Sequence, residues 1–305
     1  MKTYNDLYLE NRNILRSAGF ENYQQEAKLL LAGASNKTVA SLLSALNLYS
    51  SDEIESRNAE YIKRRLKNEP IAYILNSWEF YGLNFYVDSS VLIPRIDTET
   101  LIDSAREIFP EASEIRILDL CSGSGNIACT LAFKYPNSDV VAIDNSKKAV
   151  NVSHKNASSL HLASRVKCIQ SDVMKTPPIG LGLFDLIISN PPYIKSGEIK
   201  DLEPSVRKYE PVSALDGGKS GYDFYESIIN KWSICLKPDG IFIFEVGEEQ
   251  ADYVCKLLTS HDFKTVYTRK DTIGVERVVI GLKNNLKGNK NNGREEESTD
   301  SRKEY

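Results

Sequence analysis

From residue 115 onward, short apolar runs alternate with amphipathic stretches, and this alternation limits the folds open to the chain. Short apolar runs predict buried strands, and apolar residues at three- and four-residue spacing predict helices. Strands separated by helices pair in parallel, and helices then cover both faces of the sheet. The sequence therefore predicts an α/β fold with strands at 115–120, 139–143, 166–170, 183–189, 241–246, 263–268 and 275–282 and helices at 124–135, 147–160, 222–236 and 248–260.

The first 75 residues have only helical periodicity. Four stretches with apolar residues at three- and four-residue spacing lie at 4–18, 23–32, 35–46 and 51–68. Ser35 and Ser51 are predicted to cap the third and fourth helices, and Gly33 to end the second. We therefore predict a small all-helical domain over 1–75 that recognises a substrate, with oligomerisation or a packing role as the alternatives.

Three further segments complete the predicted domain organisation. Aromatic residues alternate along 78–87 around Gly82, which predicts a β-hairpin within a linker at 76–92. The main domain is predicted at 93–282. Residues 283–305 are rich in Asn, Gly, Ser and charged side chains, which predicts a disordered tail.

Composition excludes several function classes. The net charge is −4, so no global positive field attracts nucleic acid. No apolar run approaches the ~20 residues of a membrane span, and the polar N-terminus does not resemble a signal peptide. The five cysteines form no C-x-x-C, and the three histidines do not cluster with them at metal spacing. We expect a cytoplasmic protein without a metal site, membrane contact or direct nucleic-acid binding.

The first predicted strand leads into a glycine turn, which allows close backbone approach to a ligand. The next two strands end near Asp144 and Asp172, and the carboxyl ends of parallel strands form the ligand edge of such a sheet. Asp144 would bind ribose hydroxyls and Asp172 an adenine amino group. The predicted nucleoside site also includes Asp119 on the strand and the turn residues Cys121, Ser122, Gly123, Ser124 and Gly125.

The charge of Asp119 helps to distinguish between the possible nucleoside cofactors. The spacing Gly123-x-Gly125-x-x-Ala128 also fits a dinucleotide fingerprint, and an NAD-dependent oxidoreductase is one alternative. Asp119 would instead meet the amino group of a methionine moiety, whereas it would repel a pyrophosphate. No Walker-type Lys-Ser/Thr follows the turn, which argues against ATP hydrolysis. We therefore predict S-adenosylmethionine as the cofactor.

The strand at 183–189 ends in Asn190-Pro191-Pro192-Tyr193. Two prolines cannot continue a strand, and a residue before proline is held extended, so Asn190 is fixed at the ligand edge. The Asn190 carbonyl and a backbone carbonyl of the proline pair would accept the two N–H groups of a planar nitrogen. Tyr193 would lie on its plane. The alternative is an ordinary turn with a packed tyrosine.

Two other segments are candidates for the substrate side. Asp97 or Thr98 is predicted to cap a helix, and Arg95 before it is either a pocket wall or a surface ion pair. The long loop at 195–221 is predicted to be a lid on the substrate, with a surface excursion as the alternative.

Together these residues carry a family resemblance. Asn190-Pro191-Pro192-Tyr193 after Asp119 and the glycine turn resembles class I S-adenosylmethionine-dependent methyltransferases that act on planar nitrogen. With Pro94-Arg95-x-Asp97-Thr98-Glu99, Glu245-Val246-Gly247 and Glu276-Arg277-Val278, residues 1–282 resemble the release factor glutamine methyltransferases, the PrmC/HemK family. The implied fold is a Rossmann-like, seven-stranded class I methyltransferase sheet with a small all-helical N-terminal domain.

The resemblance implies a reaction and a set of site residues. The methyl group would pass to the side-chain amide nitrogen of the glutamine in the Gly-Gly-Gln motif of class 1 peptide chain release factors, and a monomer is expected. The implied catalytic residues are Asn190, Pro191 and Tyr193, and Arg95 and Pro192 join them in binding substrate. The implied cofactor residues are Asp119, Cys121, Ser122, Gly123, Ser124, Gly125, Asp144, Asp172, Val173 and Asn190.

Two departures from the family pattern lead to further expectations. Cys121 stands where many members have the first glycine of the turn, which we expect to be tolerated only at a negative φ. Val173 replaces an aromatic residue found beside adenine in some members, so stacking should be weaker. An adenine-N6 DNA methyltransferase, which shares Asn-Pro-Pro-Tyr, and an inactive scaffold are alternatives. The acidic net charge disfavours the first, and the intact site residues disfavour the second.

Overall fold

A computed structural model describes residues 1–283, and the rest of the predicted tail lies outside the described residues. The α-helices are α1 Tyr4–Ser17, α2 Tyr23–Ala34, α3 Val39–Ser44, α4 Asp52–Arg65, α5 Ile71–Leu75, α6 Glu99–Ile108, α7 Asn126–Lys134, α8 Lys147–Ser159, α9 Pro204–Tyr209, α10 Asp223–Trp232 and α11 Ala251–Ser260. The strands are β1 Trp78–Phe80, β2 Leu83–Phe85, β3 Arg116–Leu120, β4 Asp139–Asp144, β5 Val166–Gln170, β6 Phe184–Ser189, β7 Leu236–Glu245, β8 Thr265–Lys270 and β9 Glu276–Leu282.

Seven strands form one sheet in the order β5-β4-β3-β6-β7-β9-β8. The five strands from β5 to β7 are parallel, and β9 runs antiparallel to both of its neighbours. The predicted fold class, a seven-stranded methyltransferase-type sheet with an N-terminal helical region, is confirmed.

Alternation along the central strands builds a core on each face of the sheet. Ile117 of β3 packs with α6 and α7, whereas its neighbour Leu118 packs with α10 and α11. Leu186 and Ile187 of β6 divide between the two faces in the same way. These residues are fully buried, as continuous apolar strands of a doubly covered sheet must be.

The order of the strands reverses at the centre of the sheet. β4 and β5 lie on one side of β3, and β6 and β7 lie on the other, with Leu120 paired to Ser189 at the carboxyl ends. A crevice forms outside the carboxyl ends where the strand order reverses. Cys121 and Asn190, the residues that follow β3 and β6, therefore emerge side by side into this crevice.

The N-terminal helices begin and end partly where the sequence predicted. Ser51 caps α4 through the backbone N–H of Ile54, as predicted. The Ser35 prediction is wrong, because α3 begins after Thr38, whose hydroxyl accepts from Ser41. Gly33 does not end α2. A Cβ at Gly33 would lie 2.3 Å from a Leu75 methyl carbon, so the glycine permits close packing of α5.

The predicted hairpin is present as β1 and β2, with Trp78 paired to Phe85. Its turn residues Tyr81 and Gly82 both have positive φ, the geometry of a two-residue hairpin turn. The chain then runs along α8 as a wall of the crevice. Tyr73 of α5 donates its hydroxyl to the Val91 carbonyl at 2.5 Å, which fastens the helical region to this wall.

Two segments differ from their predicted structure. Residues 195–221 are not a plain loop, since they contain α9 and two short 3₁₀ turns. The strand predicted at 241–246 begins earlier, because β7 extends from Leu236 to Glu245 and pairs irregularly with β6 near its start. The predicted domain boundaries stay predictions.

Candidate functional site

Three cavities meet at Asn190, at the carboxyl end of β6. The first, of about 600 Å³, extends from Cys121 and Gly123 past Asp144 to Val173. The second, of about 350 Å³, follows the glycine turn beneath Arg95 and Thr98. The third, of about 560 Å³, is lined by Pro191, Tyr193, Arg95 and Glu245. Asn190 lines all three, so its side chain lies where a cofactor and a substrate entering from different sides would touch.

The glycine turn is held open by backbone geometry that its glycines permit. Gly125 has φ +76°, and a Cβ there would lie 2.3 Å from the Ser153 hydroxyl on α8. Gly123 has φ +52° and no atom within 4 Å of a hypothetical Cβ, so its backbone borders open space in the first two cavities. The turn therefore offers backbone to a ligand at Gly123 and packs tightly at Gly125.

The expectation for Cys121 is wrong. Its φ is +60°, a left-handed conformation that costs a non-glycine residue on the order of 1 kcal/mol. The chain tolerates this strain because the following N–H, that of Ser122, is tied to the Ile143 carbonyl at 2.9 Å. Burial raises the pKa of the Cys121 thiol well above its usual range, so the side chain is neutral where it lines the cavity.

Asp119 lies fully buried beneath the glycine turn. Its Oδ2 accepts from the Ala128 N–H at 3.1 Å and thereby caps the first turn of α7. Its Oδ1 and the Ser122 Oγ have no hydrogen-bond partner among the described residues. Burial raises the Asp119 pKa well above its usual range. Two unpaired oxygens under an open turn provide acceptors for a cationic group, although Asp119 itself has no exposed surface.

The two other predicted carboxylates differ in position. Asp144 lines the first cavity, where its Oδ2 accepts from the Gly123 N–H and its Oδ1 from the Ser146 N–H, both at 2.9 Å. Burial raises the Asp144 pKa. Asp172 accepts from the Met174 N–H and, within the described chain, is not among the residues lining this cavity. The cavity wall is formed there by the neighbouring Val173.

The Asn190 amide has a defined partner. Its Nδ2 donates to the Thr98 Oγ1 at 3.2 Å, which turns the Asn190 carbonyl away from Thr98. The end of β6 is fixed beneath it, because the Ser189 hydroxyl donates to the Leu120 carbonyl at 2.6 Å. Asn190 thus presents an acceptor at the junction of the three cavities.

Tyr193 is clamped from both sides. A Cβ at Gly247 would lie 3.0 Å from the Tyr193 ring, and a Cβ at Gly217 would lie 2.7 Å from the Tyr193 Cα. The Gly217 N–H donates to the Ile194 carbonyl at 2.8 Å, so the segment 195–221 returns onto Asn-Pro-Pro-Tyr. Burial raises the Tyr193 pKa to about 12, and the phenol is neutral at ordinary pH.

Arg95 lies in the wall of the site, and it also forms an ion pair, although with a buried carboxylate rather than one at the surface. Arg95 lines the second and third cavities, and its Nη2 lies 2.6 Å from the Glu210 Oε1 just after α9. Glu210 is buried and also accepts from the Ile93 N–H. The ion pair therefore joins the segment before α6 to the segment 195–221 across the mouth of the site.

Two family models and several known proteins match this chain in sequence. Residues 96–203 match the family model "Methyltransferase small domain", and residues 6–75 match "PrmC N-terminal domain". A release factor glutamine methyltransferase of Clostridium acetobutylicum is 34% identical over 92% of this chain and 99% of its own. One of Geobacter sulfurreducens is 37% identical over 88% of this chain and 93% of its own.

The chain belongs to the release factor glutamine methyltransferase family. It is therefore a methyltransferase, as predicted. Among solved structures, the catalytic domain of hMettl16 in complex with an RNA hairpin has a TM-score of 0.55 at 14% identity, covering 77% of this chain and 82% of that one. At this identity the likeness bears on the fold alone. No helix of the described residues has the length and apolarity to cross a membrane; cytoplasmic location stays a prediction.

Sequence reasoning missed several residues of this candidate site. Phe224 of α10 lines the first cavity together with Val173 and supplies the aromatic wall that Val173 lacks. Asn156 of α8 donates to the carbonyls of Ser124 and Tyr86, both at 2.9 Å, and so ties the glycine turn to the linker. A buried-face asparagine on a helix was the only local signal for Asn156.

Glu245 was noted only for its resemblance to the family. It ends β7, lines the third cavity and is 2% exposed. Burial raises its pKa to about 7, while hydrogen bonding from Thr98 and the charge of Arg277 act in the opposite direction. A carboxylate buried next to Asn190 costs folding free energy, and the strand pattern did not predict it.

Proposed function

We propose that this protein transfers a methyl group from S-adenosylmethionine to the side-chain amide nitrogen of the glutamine in the Gly-Gly-Gln motif of class 1 peptide chain release factors. The names of its relatives support the release factor as substrate. The observation that carries the proposal is the acceptor carbonyl of Asn190 at the junction of three cavities. An acceptor held there suits a planar NH₂ group, as a glutamine amide carries.

The residues around the glycine turn fit S-adenosylmethionine. Open space beside the Gly123 backbone and the unpaired Asp119 Oδ1 and Ser122 Oγ suit its methionine part, which carries an amino group. Asp144 in the first cavity suits ribose hydroxyls, and Val173 with Phe224 suits an adenine ring. When bound, S-adenosylmethionine supplies a methyl group on a positively charged sulfur, which is a strong electrophile.

The difficult reactant is the amide nitrogen, because its lone pair is delocalised into the carbonyl. The Asn190 Oδ1 and the Pro191 carbonyl would accept its two N–H groups, which raises electron density on nitrogen and fixes its direction. Tyr193 would hold the plane of the amide. Transfer of the methyl group from sulfur to nitrogen would leave S-adenosylhomocysteine, and the amide nitrogen would release one proton to solvent. Alignment and electrostatic preorganisation of this kind supply several kcal/mol.

We propose that two surfaces of the protein bind the release factor. Arg95 and the segment 195–221 border the third cavity, through which the glutamine would enter. The helical region at 1–75, which matches a domain named for this family, would hold the body of the release factor. We propose that the protein acts as a monomer in the cytoplasm.

Mass spectrometry of a purified class 1 release factor, after incubation with this protein and S-adenosylmethionine, tests the proposal. We expect a gain of one methyl group on the glutamine of Gly-Gly-Gln. A release factor carrying asparagine at that position is the control and should gain none. Methylation of adenine in duplex DNA, with no change in the release factor, would overturn the proposal in favour of a DNA methyltransferase.

A further inference from the structure

We propose that Thr98 and Glu245 are positioning residues that fix which way the Asn190 amide faces, so that its carbonyl and not its NH₂ points at the substrate. The inference deepens the proposed function and rests on it for the identity of the substrate. Nothing in the Asn190-Pro191-Pro192-Tyr193 sequence by itself determines this orientation.

The orientation matters because a side-chain amide has two nearly isosteric ends. Rotation by half a turn exchanges the Asn190 carbonyl for its NH₂ with little change in shape. A substrate amide that must be held through its own N–H groups needs the carbonyl, and the opposite orientation would place donor against donor. The protein must therefore favour one orientation from behind the side chain.

Thr98 provides the first contact from behind. It is 2% exposed, and its Oγ1 accepts from the Asn190 Nδ2 at 3.2 Å. Thr98 stands at the N-cap position of α6, yet its side chain makes no capping hydrogen bond there. The Thr98 hydroxyl can therefore accept from Asn190 and donate its single proton to another acceptor.

That acceptor is Glu245. β6 and β7 are paired with Ser189 opposite Phe244, so the next residues, Asn190 and Glu245, are neighbours. Hydrogen bonding from Thr98 and from Asn190 lowers the Glu245 pKa against the effect of burial. An ionised carboxylate is only an acceptor, so it draws the Thr98 proton and the Asn190 NH₂ toward itself. The Asn190 carbonyl is left facing the cavities.

The cost of Glu245 supports a functional reason for it. Arg277, whose charge lowers the Glu245 pKa, forms its ion pair with Asp271 at 3.3 Å and donates to the Val246 carbonyl rather than pairing with Glu245. The Glu245 Oε2 has no hydrogen-bond partner among the described residues. A buried carboxylate without an ion pair destabilises the fold, and such groups cluster at functional sites.

The test compares variants that remove or retain the acceptor. Thr98→Val and Glu245→Met each remove one contact without changing side-chain size greatly. We expect at least a tenfold fall in kcat for methylation of the release factor, with KM and the Kd for S-adenosylmethionine within threefold. Thr98→Ser and Glu245→Gln, which each keep an acceptor, should restore most of the rate. Thr259→Val is the control, since the Thr259 hydroxyl bonds only its own helix, α11.

A double-mutant cycle separates positioning from a structural role. If Thr98 acts only through Asn190, Thr98→Val should lower the rate in the wild type and have no further effect in Asn190→Ala. Equal effects in both backgrounds would overturn the inference, as would a wild-type rate in Glu245→Met.

A measurement without substrate keeps this inference distinct from the proposed function. The side-chain ¹⁵N resonance of Asn190, assigned by its loss in Asn190→Ala, reports the environment of the NH₂ group directly. We expect slow hydrogen exchange of this NH₂ in the wild type, at least tenfold faster in Thr98→Val and Glu245→Met. Fast exchange in the wild type would overturn the inference even if the release factor is methylated. Slow exchange without methylation would overturn only the proposed function.

Discussion

At the scale of single residues, the site depends on polar groups whose partners come from distant parts of the chain. Asn190 has its amide held by Thr98, 92 positions away along the sequence. Asp119 caps α7 with one oxygen and leaves the other unpaired beneath the glycine turn. The unpaired Asp119 oxygen lowers stability, because a buried polar group without a partner costs free energy. These arrangements leave acceptors where ligands are proposed to bind.

Glu245 leads to a prediction about stability and pH. Because its folded pKa is raised from 4.5 to about 7, its contribution to stability is fully present below about pH 4.5 and is lost as pH rises through 7. Glu245→Gln removes this loss, so the variant should exceed the wild type in unfolding free energy by about 3 kcal/mol at pH 8. The two should be nearly equal at pH 4.5.

Urea unfolding of both proteins at pH 5 and pH 8 measures this difference. The charged and titratable groups that act on Glu245 from neighbouring elements are Arg277, Asp97, Tyr193 and Tyr225. A variant less stable than the wild type at pH 8 would mean that the Glu245 carboxylate stabilises the fold, contrary to this account.

At the scale of elements, the segment 195–221 acts as a brace for Asn-Pro-Pro-Tyr. Ile194 pairs with Asp216 in a parallel bridge, and Gly217 lies against the backbone of Pro192 and Tyr193. The ion pair of Arg95 with Glu210 holds the same segment to the region before α6. The rigid strand end thus owes part of its position to a segment that sequence analysis treated as a lid.

Gly217→Ala tests this brace. The new Cβ would lie 2.7 Å from the Tyr193 Cα and 2.8 Å from the Pro192 carbonyl oxygen, so the backbone must shift. We expect a loss of about 1–3 kcal/mol of stability and at least a tenfold fall in kcat. Gly197→Ala in the same segment is the matched control, because no atom lies within 4 Å of its Cβ position. Equal activities of the two variants would contradict the brace.

Local signals predicted the elements well where local contacts determine them. Ser51 was expected to cap α4, and its hydroxyl accepts from the Ile54 N–H three residues away. Asp97 or Thr98 was expected to cap α6. Thr98 occupies the N-cap position, but its hydroxyl bonds Asn190 instead of the first turn, because a long-range partner competes with the local one. Phe224 reaches the first cavity from α10, which lies far along the chain from the glycine turn, and no local pattern encodes such a contact.

Cys121 illustrates a second limit of sequence reasoning. The position was expected to avoid a positive φ because cysteine has a Cβ, yet the turn between β3 and α7 imposes +60° on it. Strain at one residue is tolerated when neighbouring hydrogen bonds determine the backbone. The chemistry of the turn was therefore predictable from its residues, but its backbone strain was not.

At the scale of the whole molecule, one apolar junction joins the helical region to the sheet. Tyr73 of α5, Val87 and Val91 of the linker, and Val152 of α8 form a single buried cluster. Ser90, Val91 and Leu92 of the same linker line the first cavity. The helical region proposed to hold the release factor therefore packs against the linker that forms part of the wall of the first cavity.

Exposed apolar residues of the helical region supply a test of partner binding. Leu48 and Tyr49 are 61% and 68% exposed. We expect Leu48→Lys and Tyr49→Lys to raise KM for the release factor at least fivefold and to leave the Kd for S-adenosylmethionine unchanged. Ile179→Lys, which alters an exposed residue ahead of β6, is the control and should leave KM unchanged. An unchanged KM in the first two variants would exclude this surface.

The central claim is that the Asn190 carbonyl positions the substrate nitrogen for methyl transfer. The most direct measurement is the single-turnover rate of release factor methylation by Asn190→Ala at saturating S-adenosylmethionine, with the Kd for S-adenosylmethionine measured by calorimetry. The account predicts a rate lower by about 10² or more, as for the loss of one preorganised polar contact, with the Kd within a few fold of the wild type. A rate within threefold of the wild type would contradict it.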